Sequence, residues 1–239
     1  GFSTANLAAL NPDTIAALAG AVLAGLSTGQ LSALATRQIA VLSSSQIAAL
    51  SPNQVAHLET ADLANLSTAQ VQALTTAQLR ALSGEQLASL TSDDLNALNT
   101  QQFASLSTAQ VASLTSTQLG NLQTTDLAAL TTAGIAAMET QDVAAISTAG
   151  IGALTTVQIS AGLGTDQITA LTTTAVAALK TNQVAAMLTA QVASLNTDQI
   201  AALTTAQVQA LSSTQFKALT AAQLAALTPA LETTLPSAT

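Results

Sequence analysis

A large apolar residue recurs every eight positions, from Leu10, Leu18, Leu26 and Leu34 through to Leu154, with Met138 and Ile146 as the only variants of this anchor. After one nine-residue step to Leu163 the spacing of eight resumes and runs through Leu171, Met187 and Leu195 to Leu235. Five residues after each anchor stands a second apolar residue, Ile15, Leu23, Leu31, Ile39 and so on to Leu224, until Glu232 takes the place in the final repeat.

The residues between the two apolar columns spell a helix start, as in Leu66-Ser67-Thr68-Ala69-Gln70-Val71. The residue after the anchor is Ser, Thr or Asn in most repeats, and three positions later comes Gln or, in four repeats, Asp. This is a capping box: the hydroxyl accepts from the N3 amide while the Gln side chain reaches back to the N-cap amide. The anchor then occupies N′ and the second apolar residue N4, the two positions of a hydrophobic staple. Pro12, Pro52 and Pro229 all fall at N1 of this frame, where a missing N–H costs nothing. Nearly all the acidic residues, the pair Asp93-Asp94 included, lie at N-cap, N2 or N3, where the helix dipole favours negative charge.

One long helix is excluded by arithmetic, because eight residues at 100° each overshoot two turns by roughly 80° and the apolar stripe would wind away from any partner. The chain must break and restart at each N-cap, giving helices of about five to seven residues or close to 3₁₀ in form. A β-solenoid is the competing reading, since Thr, Val and Ile suit strands. The alternation of three and five between apolar residues, the many Ala and Gln, and the scarcity of Gly turns favour helix. Two aliphatic side chains cannot offset the ordering of eight residues, so no repeat stands alone and successive repeats must stack. The predicted fold is therefore all-α, a solenoid or superhelical rod of about 28 eight-residue repeats, forming a single array over residues 1–239 with one irregular step near 159–168.

Composition narrows what such an array can do. Charged residues make up 7% of the 239-residue chain and aromatic residues 1%, so the core is expected to be thin and aliphatic. The net charge of −8 and only four dispersed basic residues, Arg37, Arg80, Lys180 and Lys217, argue against nucleic acid or an anionic lipid surface as partner. Cysteine is absent, which removes thiol chemistry and leaves the compartment open. Polar residues interrupt every apolar stretch, so no membrane span is predicted. The segment 14–26 lacks a basic flank and obeys the repeat, so it reads as structure, and a start at Gly1 fits a processed or excised piece.

The irregular positions read as accommodation. Gly162 and Gly164 surround the anchor of the nine-residue step, which looks like an insertion absorbed by permissive backbone. Gly134, Gly150 and Gly152 cluster upstream, and residues 133–165 are expected to be the least regular and most mobile part. Leu188 stands where a cap belongs and reads as a degenerate repeat. His57 is the only histidine, so no transition-metal ligand set exists and a surface role is expected. No nucleophile has a base beside it, no acidic pair sits in a calcium loop, and no glycine-rich phosphate loop is present. No catalytic, cofactor-binding or metal-binding residue is predicted.

Units such as Ala73-Leu74-Thr75-Thr76-Ala77-Gln78-Leu79 and Ala202-Leu203-Thr204-Thr205-Ala206-Gln207-Val208 resemble the Thr/Gln/Ala-rich tracts of very large bacterial surface or secreted proteins of adhesin or haemagglutinin type. The resemblance covers nearly the whole chain and carries over no functional residue. It implies an extracellular or cell-surface setting. Uniform repetition without a chemical focus points to a stalk, spacer or filament subunit that self-associates end to end or laterally. A scaffold binding protein or glycan is the second expectation. Recognition of ice or a crystalline polymer by the Thr column at N1 (Thr68, Thr76, Thr100, Thr108, Thr124, Thr132) is the third.

Overall fold

The computed structural model describes the backbone of residues 2–232 and the side chains of residues 2–227. Those residues form short helices, and no strand occurs among them. The helices begin where the capping frame predicts. Thr76–Ala81, for example, starts after Thr75, whose extended backbone (φ −70°, ψ 158°) places its side chain to accept from the Gln78 amide. Most helices run for four to six residues, and the next anchor, such as Leu82 (φ −64°, ψ 141°), returns the chain to extended geometry before the following cap. This is an all-α solenoid of short repeats.

Both apolar columns are buried through most of the array. The second column is sealed along its middle, with Ile47, Leu63, Leu79, Leu87 and Phe103 all at 0% exposure, and opens towards the C-terminal end, where Phe216 and Leu224 are 36% and 37% exposed. Anchors such as Leu50, Leu82 and Leu98 remain 3–4% exposed. Each helix packs mainly on the third helix along the chain, so that Pro52–Ala56 meets Thr76–Ala81, which in turn meets Thr100–Ser105. Small residues set the spacing between turns of the coil. A β-carbon on Gly84 would lie 2.7 Å from that of Ser113, and one on Gly120 would lie 2.9 Å from the Ala145 carbonyl oxygen. Residues divide by contact into two compact bodies, Gly1–Gln118 and Leu119–Thr239. The same repeat packing is found inside each.

Two predicted details change. The extra residue near 159 is taken up in a π-turn, Gln158–Gly162, in which the Leu163 amide donates to the Gln158 carbonyl over 3.0 Å, five residues back. A single π-turn is the usual way for a helix to absorb one inserted residue. Glycine serves here by its size and not by its backbone freedom. No glycine among the described residues has positive φ, and a β-carbon on Gly162 would sit 3.1 Å from Ile135 Cγ2. The irregularity expected over 133–165 is thus confined to the π-turn, because Thr132–Ala136, Thr140–Ala145 and Thr148–Ala153 keep the common frame.

At the other end, no restart occurs at Pro229. The helix from Ala221 continues to Glu232. The last anchor of the frame, Leu235, lies outside the described residues.

Candidate functional site

The feature repeated most faithfully through both bodies is a buried glutamine. The N3 glutamine of each repeat was expected to close a capping box, and it does. The Ser43 amide donates to Gln46 Oε1 over 2.7 Å while the Gln46 amide donates to Ser43 Oγ over 3.2 Å. The same side chain also reaches across to the preceding turn of the coil. Gln78 Nε2 donates to the carbonyls of Ile47 (2.8 Å) and Leu50 (2.7 Å), 31 and 28 residues earlier. Gln110 does the same to Leu79 (2.7 Å) and Leu82 (2.8 Å), and in the second body Gln158 bonds Leu127 (3.0 Å) and Leu130 (2.8 Å).

The acceptors are a carbonyl in the last turn of a short helix, which also accepts from the following anchor's amide (Leu50 to Ile47, 3.2 Å), and the carbonyl of that anchor, which lies beyond the helix's own ladder. One amide therefore supplies three bonds: one at the start of its own helix and two at the end of the helix four repeats earlier. Being spent on all of these, the glutamines are buried, with Gln38 at 0% and Gln78, Gln183 and Gln199 at 1% exposure. The eight-residue motif itself contains only the local cap. One signal of the second role was present: glutamine persists where the N-cap has no hydroxyl. Gln38, Gln167, Gln183 and Gln191 follow Ala35, Gly164, Lys180 and Leu188, and their Oε1 atoms accept from those amides over 2.6–2.8 Å.

The ladder also shows how the insertion is tolerated. Gln167 and Gln183, whose turns include the π-turn, bond 32 and 29 residues back, to Ile135 and Met138 and to Ile151 and Leu154. By Gln199 the separations return to 31 and 28. Within each body a turn of the coil takes between three and four repeats.

The four N3 aspartates, expected to be ordinary first-turn acids, are buried in the glutamine's place. Asp62 Oδ2 accepts from the Glu59 amide (3.2 Å), and Asp94 Oδ2 accepts from the Thr91 amide (3.1 Å) and hydroxyl (2.6 Å). A carboxylate keeps the local half of the glutamine's task and has no N–H for the other half. At Asp126 the Oδ2 atom is buried without a partner, and burial pushes the carboxyl above its ordinary range against a weak opposing bond from Thr125. Asp93, beside Asp94, points to solvent, so the two do not form a joint site.

The other residues singled out in the sequence are dispersed. His57 is exposed and its Nδ1 lies 2.7 Å from the Asn53 carbonyl in its own helix. Leu188 is 55% exposed at the N-cap of Thr189–Ser194; Val157, which the repeat pattern does not mark, is 58% exposed. Of the N1 threonines, Thr68, Thr100, Thr108 and Thr124 are exposed, while Thr76 and Thr132 are half-buried. No three His, Cys, Asp or Glu side chains gather among the described residues. No described helix is long and apolar enough to cross a membrane.

Two shallow depressions mark the second body. One of about 540 Å³ is lined by Thr124, Thr148, Gly152, Ala178 and Lys180. The other, of about 520 Å³, lies against Glu139, Thr140, Thr165 and Asp166.

No curated protein matches the chain. A family model described as the ALTTAQ repeat matches it six times, over residues 23–60, 55–92, 88–124, 135–173, 174–205 and 196–229. The motif's final Gln is the ladder residue, as in Ala73-Leu74-Thr75-Thr76-Ala77-Gln78. The chain belongs to the ALTTAQ repeat family.

Proposed function

We propose that this chain is a non-catalytic structural repeat, an extracellular stalk, spacer or self-assembling filament subunit at a bacterial cell surface. The supporting observation is that the polar side chain repeated most regularly along the array, the N3 glutamine, is buried and fully engaged in joining one turn to the next. A residue so placed specifies length and pitch and presents nothing to a substrate. The surface between turns is Ala, Ser and Thr, with few charges and no aromatic cluster.

Electron microscopy with size-exclusion chromatography over a concentration series tests this reading. Elongated particles of uniform width, or filaments that lengthen with concentration, are expected; compact globular particles would refute it. Labelling of intact producing cells with a membrane-impermeant reagent tests the surface setting, and protection of Lys180 and Lys217 in intact cells would contradict it.

A binding scaffold is the second reading, favoured by Val157 and Leu188, the two most exposed large apolar side chains among the described residues. It predicts saturable capture of a protein or glycan that Val157→Ser and Leu188→Ser together abolish. Capture unaffected by that double variant would count against it.

A further inference from the structure

The first and last described turns show opposite faces of the same packing scheme. In the first turn the N4 residues Leu7, Ile15 and Leu23 are at 0% exposure, because the second turn covers them. Its N3 residues, Asn6, Thr14 and Val22, which stand where a ladder glutamine would reach back, are exposed, and the anchors Leu10 and Leu18 are only half-buried. In the last turn the order is reversed. Gln215 and Gln223 at N3 are buried and donate to the carbonyls of Met187 (2.7 Å) and Leu195 (2.6 Å), while Phe216 and Leu224 at N4 are exposed. Val208, on whose helix the one from Ala221 packs, stays at 5% exposure, which shows that the N4 column is sealed wherever a following element lies over it. Of the seven exposed large apolar side chains among the described residues, four, Phe2, Val22, Phe216 and Leu224, belong to these two turns. The two also differ in sign: Asp13 is the one charged residue within 2–26, and Lys217 the one within 200–227.

We infer that these two faces join between copies of the chain, the first turn of one stacking on the last turn of its partner as turn stacks on turn inside a body. The inference rests on the self-assembly reading above and names the surfaces that carry it. The side that Phe216 and Leu224 leave open is the side on which a following turn sits, and the side that Val22, Leu10 and Leu18 leave open is the one that faces a preceding turn, so each supplies what the other lacks. Such a contact is heterologous: it leaves one face free at each end of a pair and can add further copies in series. It contains no glutamine rung from the first turn. Apolar burial and one pair of opposite charges hold it, so it is weaker than the packing of turns inside a body and forms reversibly.

The chain has no cysteine, so single-cysteine variants of the full chain report which faces meet. Thr14→Cys places a thiol on the first turn and Ser213→Cys one on the last, both at exposed positions. With a short bismaleimide, dimers are expected when the two variants are mixed and not when either is treated alone. Dimers formed equally well by one variant alone overturn the inference, because they report a symmetric or lateral contact.

Sedimentation velocity over a concentration series measures the strength of the joint. Phe216→Ser and Val22→Ser, on opposite faces, should each lower the association constant at least about tenfold, while Val157→Ser/Leu188→Ser leaves it unchanged. If Phe216→Ser does not fold, Val22→Ser decides. Association that survives these substitutions overturns the inference, and so does a chain that stays monomeric at every concentration. Monomers that are elongated and of uniform width would leave the spacer reading standing, whereas compact globular particles would remove that reading as well.

Discussion

Replacing Gln78 separates a local cap from a ladder. In Gln78→Ala the Thr75 amide loses its 2.7 Å acceptor, and the carbonyls of Ile47 and Leu50 lose donors at 2.8 and 2.7 Å. The residue is 1% exposed, so water does not readily replace those bonds. At about 1 kcal/mol net for each bond, and more where a buried group is left unsatisfied, the loss is about 3–5 kcal/mol. Thr75→Ala removes only the reciprocal half of the capping box, the 3.2 Å bond from the Gln78 amide, and should cost about 1 kcal/mol.

If glutamine were a cap and nothing more, the two substitutions would cost similar amounts. Urea unfolding of the full chain, followed by far-ultraviolet circular dichroism with hydrogen exchange to localise the change, measures both. A Gln78→Ala effect at least about three times that of Thr75→Ala is expected. Equal effects would refute the ladder. Gln78→Glu sharpens the contrast, because it keeps the local acceptor while aiming an oxygen at two carbonyls. It should lose stability at neutral pH and recover part of it in acid, where the protonated carboxyl donates.

Other outcomes follow from the same geometry. The Asp126 carboxyl is pushed above its ordinary value by burial, so the folded state binds its proton more tightly than the unfolded chain does, and stability is lost as pH rises from 3.8 through the raised folded value. Asp126→Asn should therefore be more stable than wild type at neutral pH and lose that advantage below the ordinary carboxyl range; melting temperatures of both chains across pH check this, and a constant difference would contradict it. Gly29→Ala, where nothing lies within 4 Å of the new β-carbon, should stabilise by about 0.5–1 kcal/mol. Gly120→Ala, whose β-carbon would meet the Ala145 carbonyl oxygen at 2.9 Å, should destabilise by about 1–3 kcal/mol, and urea midpoints of the pair should move in opposite directions. Deleting Ala161 restores the spacing of eight across the π-turn and should leave the urea midpoint nearly unchanged, whereas deleting Ala112 from a regular repeat should lower it sharply.

The candidate site was half legible in the residues. The capping role of Gln70 or Gln78 could be read because it spans three residues, and a local pattern contains both partners. Its second role joins residues 28 and 31 apart, and no eight-residue motif carries that distance. The aspartates show the same limit: Asp62 and Asp94 look like first-turn acids in sequence, and only the turn packed against them makes them buried glutamine substitutes. Gly162 differs in the same way: the sequence suggests backbone freedom, and Ile135, 27 residues away, demands small size.

By itself, then, the sequence determined the period, the helix starts at Ser, Thr and Asn caps, the two apolar columns and the place of the inserted residue, because staple and capping box are settled within six residues of chain. Only the tertiary structure decided how many repeats make a turn and which carbonyls each glutamine meets. Those depend on how closely the Ala and Gly faces of successive turns approach, a distance set by packing many repeats away along the chain.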